Sequence, residues 1–176
     1  LTSEFLSDDG NIKVSYNHME FPQTDESRAY YEIKYDILGD VSFADFVKDF
    51  RFYKMVCSDA KGSYRRIGYL NENNESVVVA ANETKDPVKY TLGNECPYFS
   101  FFDMDDYSSS VNENASKTGG GYSNVSFIIQ DYSFDLENYG GNPGFALRNT
   151  NNYVSLTLNI DEEFTLKAGD VITINA

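Results

Sequence analysis

Apolar and polar residues alternate along most of this chain. In YYEIKYDIL (30–38), Tyr31, Ile33, Tyr35 and Ile37 fall on one side and Glu32, Lys34 and Asp36 on the other. That period of two is the pattern of an antiparallel strand with one buried and one solvated face. The same pattern predicts strands at IKVSY (12–16), at VKYTL (88–92) and at YVSLTLNI (153–160). The last should bury Val154, Leu156, Leu158 and Ile160 and expose Tyr153, Ser155, Thr157 and Asn159. RFYKMVC, YRRIGYL, SVVVAA, YFSFF and NVSFIIQDYSFDL add further strand-like runs, punctuated by turn formers such as SDAKGS, NENNE and GNECP. LTSEFLSDDGN at the start reads as a polar lead-in, and NHMEFPQTDES as a turn that carries His18.

Two segments break the alternation. In SFADFVKDF (42–50), Phe43, Phe46, Val47 and Phe50 recur at i, i+3, i+4 and i+7, with Ser42 as cap and Asp45 in the reciprocal position. This predicts a helix of about two turns that covers the core. Residues 103–124, DMDDYSSSVNENASKTGGGYSN, lack periodicity and predict a long polar loop. The expected fold is all-β: one antiparallel β-sandwich, jelly-roll-like, spanning residues 1–176, with one short helix around residues 43–50.

Composition sharpens this. Fourteen Tyr and 13 Phe with no Trp suit pleated, half-buried surfaces. The formal charge of −14 opposes nucleic acid and anionic lipid, and Arg65-Arg66 is the only adjacent basic pair. No apolar run is long enough to insert into a membrane. The chain opens on Leu1 rather than Met, as a processed or excised piece would. Sequons at Asn74, Asn82, Asn114 and Asn124 are compatible with an extracellular, cell-surface or virion setting. Cys57 and Cys96 each adjoin a strand-like run, so a disulfide between them is an expectation, with two buried free thiols as its alternative. In the chain-entropy model such a bridge adds roughly 3 to 4 kcal/mol.

Candidate chemistry is sparse. Asp103, Asp105 and Asp106 at a strand end offer hard oxygen ligands, making calcium the one cofactor to consider, although the EF-hand pattern is absent. Tyr107, Tyr122, Tyr139 and Tyr153 lie in or beside turns, where aromatic rings and planar polar groups recognise sugars or proteins. His18 is the only histidine, no GxSxG elbow or phosphate loop is present, and a carboxylate pair for glycoside hydrolysis arises readily by accident among 28 acidic residues. FTLKAGDVITI (164–174) resembles the penultimate turn and last strand of jelly-roll modules in extracellular proteins, carbohydrate-binding ones included; the resemblance assigns no binding residue. Asp170 is expected to fix that turn through its side chain. The expected function is a non-catalytic extracellular or surface recognition module for a glycan or a protein. The alternatives are an assembly domain of a surface protein or viral particle and a hydrolase with a carboxylate pair. The oligomeric state is left open.

Overall fold

A computed structural model describes residues 1–22, 27–56, 66–81, 86–95, 97–102 and 124–176. It is all-β and antiparallel throughout. In chain order the strands are β1 (Thr2–Leu6), β2 (Ile12–Pro22), β3 (Ser27–Ile37), β4 (Val41–Phe43), β5 (Tyr53–Val56), β6 (Arg66–Leu70), β7 (Ser76–Ala80) and β8 (Val88–Thr91). They continue with β9 (Tyr98–Phe102), β10 (Asn124–Ile128), β11 (Asp131–Asp135), β12 (Phe145–Asn149), β13 (Tyr153–Leu158), β14 (Phe164–Leu166) and β15 (Val171–Asn175). The one helix among the described residues, α1, covers Phe46–Asp49. The chain divides into two compact units, each assembled from separate segments.

Unit 1 comprises residues 1–45, 129–143 and 162–176. Its main sheet has the order β1-β2-β3-β15-β11, and β4 pairs with β14 beside it. Register places Val14, Tyr35, Ile172 and Phe134 in one row and Tyr16, Ile33, Ile174 and Tyr132 in the next, all on one face. Ile33, Ile37, Ile172 and Ile174 are buried there, each burial stabilising by about 1.5–3 kcal/mol. The turn from β14 to β15 reads as its sequence implied. Gly169 takes the left-handed conformation (φ 103°), and the Asp170 carboxylate accepts the Lys167 N–H at 2.8 Å.

Unit 2 comprises residues 46–128 and 144–161. It holds two four-stranded sheets, β10-β9-β6-β7 and β5-β13-β12-β8. These face each other as a sandwich. Tyr53 of β5 stacks on Phe127 of β10 with centroids 5.0 Å apart, and Tyr69 of β6 meets Tyr90 of β8 at 5.3 Å. Phe99, Phe101, Ile67, Phe145, Leu147, Leu156 and Leu158 are fully buried.

Five local expectations need correction. The first residues form β1 rather than a lead-in, because Thr2–Leu6 pair along β2. His18 lies within a strand, since β2 runs on to Pro22 opposite β3. The helix has one turn, not two: Val41–Phe43 pair with Phe164–Leu166, and the Ser42 hydroxyl lies 2.7 Å from that of Thr165 instead of capping. Finally, Ser155 and Thr157 are buried, not exposed. β13 is an inner strand, and Ser155 stands between the longer Lys54 and Arg148 of its neighbours. NVSFIIQDYSFDL also proves to be two strands, β10 and β11, in different units.

Candidate functional site

The β2–β3 pair outruns its sheet. β1 stops pairing at Asn17 and β15 at Glu32. Leu1 and Ala176 extend the sheet by one residue each, exchanging two hydrogen bonds with His18 and with Tyr31 respectively. Beyond that, Met19 to Pro22 and Ser27 to Tyr30 have no strand beside them among the described residues. Four residue pairs extend this ribbon by about 13 Å. A lone two-stranded ribbon is marginal in water, and here one of its faces is apolar. Met19 and Tyr30 are direct cross-strand partners, and Phe21 meets Tyr30 edge-on at 5.7 Å. The three remain 59%, 45% and 42% exposed for Met19, Phe21 and Tyr30.

At the root of the ribbon a cleft of about 660 Å³ is lined by Asn17, His18, Met19, Tyr30, Tyr31 and Asn175 among others. His18 is stacked flat on Tyr31 at 5.0 Å (interplanar angle 10°). Its Nε2 lies 3.1 Å from a Glu20 carboxylate oxygen without forming a hydrogen bond. The imidazole therefore packs as part of the ribbon's base; no nucleophile is hydrogen-bonded to it among the described residues.

The sequence-derived candidates scatter. Tyr139 is in unit 1, set edge-on against Phe164 at 5.9 Å, and Tyr153 is in unit 2. Tyr107, Tyr122, Asp103, Asp105 and Asp106 lie outside the described residues, as do Cys57 and Cys96. Among the described residues no three His, Cys, Asp or Glu side chains gather as metal ligands. No helix there is long and apolar enough to cross a membrane.

Tyr153 has unexpected neighbours. Lys54 Nζ lies 4.5 Å from its ring centroid, Arg51 Cζ 5.0 Å and Arg148 Cζ 5.9 Å. Arg148 also donates to the Tyr153 hydroxyl at 2.5 Å. Register explains the gathering. Lys54, Ser155, Arg148 and Lys89 form one row across β5, β13, β12 and β8, on the face turned away from the sandwich core. Cation–π attraction to the tyrosine offsets part of the repulsion among the three cations.

No protein-family model matches this chain, and no curated protein or solved structure matches it either. Function is thus argued from the two surfaces just described. Of their residues, sequence reasoning singled out only Tyr153. For the ribbon a signal existed: Met19 and Phe21 continue the alternation of IKVSY, but on the opposite face, and Tyr30 completes the set. For the cations there was none, because Arg51, Lys54 and Arg148 are brought together only by strand pairing.

Proposed function

We propose that this chain is a non-catalytic recognition module that docks onto a protein partner through the β2–β3 ribbon. The observation that carries this is the exposed set Met19, Phe21 and Tyr30 on a ribbon that no other strand flanks among the described residues. Elsewhere, Phe5 and Leu6 point to opposite faces of the edge strand β1, and Val78 and Ile128 stand on β7 and β10, the two edges of their sheet, whereas the exposed Leu1 lines the same cleft as Met19 and Tyr30. Taking about 200 Å² for each large side chain, the ribbon residues still show roughly 290 Å² to water. Covering that area contributes about 7 kcal/mol before the costs of association. It is also about a third of the ~800 Å² per partner in an interface of ordinary size. On the same face Arg28, directly across from Phe21, and Glu32 supply the charged margin such interfaces show.

The test is site-specific photo-crosslinking. A photoreactive phenylalanine at position 21 should give one dominant adduct in extracts of the cells that make the protein. Excess wild-type chain should compete that adduct away, and a Met19→Ser, Phe21→Ser chain should not. An adduct of the chain with itself would select the assembly form of this reading. Equal competition by the variant would refute docking through the ribbon.

A further inference from the structure

One face of unit 2 reverses the sign of the molecule. The chain carries −14, yet Lys54, Arg148 and Arg51 stand within 6 Å of one tyrosine ring. Lys89, in the same row, is held by Asp161 and by Asn159 Oδ1 at 2.7 Å. The other three have no carboxylate partner among the described residues. Arg51 does anchor one guanidinium nitrogen on the Lys48 carbonyl at 2.7 Å, which fixes its position without neutralising it. Between Lys54 and Arg148 in register sits Ser155, 1% exposed, its hydroxyl lacking a hydrogen-bond partner among the described residues. Three like charges and an orphaned hydroxyl leave this surface short of one acceptor-rich group.

We propose that this face binds an acidic saccharide through one carboxylate or sulfate group held between Lys54 and Arg148. An oxyanion there supplies the counter-charge that the described residues do not, and a planar guanidinium matches its paired oxygens. Asn159 lies further along β13's direction on the same face, with its oxygen already engaged by Lys89 and its amide N–H groups left for sugar hydroxyls. Tyr153 acts as a positioning residue: its ring and hydroxyl hold the cations in place.

Other anionic partners fit less well. Protein interfaces bury apolar anchors and are depleted of lysine at their centres, whereas this sheet face exposes no large apolar side chain among the described residues. A polyphosphate strand needs a continuous cationic track, and most of it would meet a surface of the opposite preference. A single acidic group on a sugar needs only the three cations present.

The experiment is a binding titration followed by backbone amide NMR. The probes are a short oligouronate, a sulfated disaccharide, a neutral oligosaccharide of equal length, inorganic sulfate and a short oligoglutamate peptide. One or both acidic saccharides should shift amides at residues 51–54, 148 and 153–159, and the neutral sugar should not. Arg148→Gln and Lys54→Gln should each weaken that binding about tenfold while leaving the rest of the spectrum in place, and raising salt from 50 to 300 mM should weaken it further. The uronate and sulfated arms decide which acidic group is read. Binding by neither acidic saccharide overturns the proposal, as does unchanged binding by the double variant. Inorganic sulfate or oligoglutamate binding as tightly as the acidic saccharide shows that no sugar is recognised, and overturns it too.

Discussion

Replacing Asp170 by alanine removes a carboxylate that ties two segments of unit 1 together and keeps the backbone carbonyl that reaches a third. The residue is 2% exposed. One carboxylate oxygen accepts the Glu137 N–H just after β11, and the other accepts the Lys167 N–H at the turn into β15, both at 2.8 Å. Its own backbone carbonyl receives the Ile37 N–H at the end of β3. Hydrogen bonds to a charged group contribute about 1.5–3 kcal/mol each, and the two N–H groups left behind lose their acceptor in a part-buried place. The expected loss is about 3–4 kcal/mol, a large share of the ~5–15 kcal/mol that holds a typical domain together. Asparagine keeps one acceptor and should cost roughly half as much. With a urea slope of about 2 kcal/mol/M, alanine should move the unfolding midpoint down by about 1.5–2 M. Hydrogen exchange at the amides of Glu137 and Lys167 should quicken with it. A midpoint within 0.3 M of wild type, with both amides still protected, would refute the reasoning by showing that these donors find other acceptors.

Two further outcomes follow from buried groups. Burial pushes the Tyr35 phenol up to about 12, above the ordinary value of 10. Its folded-state value is raised, so its stabilising share is full below pH 10 and is lost as pH rises from 10 to 12; the loss is on the order of 2 kcal/mol. Alkaline unfolding should therefore be shallower over that window in Tyr35→Phe, and an identical pH profile would count against the burial. Thr157 is 0% exposed and its hydroxyl has no partner among the described residues, so Thr157→Val should stabilise by about 1 kcal/mol and raise the Tm by a few degrees. A lower Tm in calorimetry would mean the hydroxyl is in fact satisfied.

The fold was legible where one physical signal dominated. Alternation in YYEIKYDIL placed Tyr31, Ile33, Tyr35 and Ile37 on one face, and β3 keeps that phase along its whole length. The Lys167–Asp170 turn was legible because glycine and aspartate there have local jobs that neighbouring sequence can specify. Legibility failed where pairing partners decide the outcome. SFADFVKDF has helical spacing, but Val41–Phe43 are claimed by β14, more than a hundred residues away, and only one helical turn remains. β1 and the outer half of β2 were read as loops because Asp, Asn and Pro cluster around them. In each case a strand partner overrides the local preference.

The two proposed surfaces share a property that ties these failures to function. Alternation assigns each strand residue a face, and a sequence shaped only for folding would put apolar side chains in the buried phase and polar ones in the wet phase. Met19, Phe21 and Tyr30 are apolar in the wet phase. Ser155 and Thr157 are polar, are buried, and lack partners among the described residues, while cations crowd part of their face. Both departures cost stability in the isolated chain: one leaves apolar area in water, the other leaves hydroxyls and like charges unsatisfied. A chain can carry such costs where a bound partner removes them, and the two surfaces ask for opposite chemistry, apolar cover on the ribbon and an oxyanion on the sandwich. They should therefore be separable by mutation. Serine substitutions at Met19 and Phe21 should leave anion binding intact, and Arg148→Gln should leave ribbon docking intact.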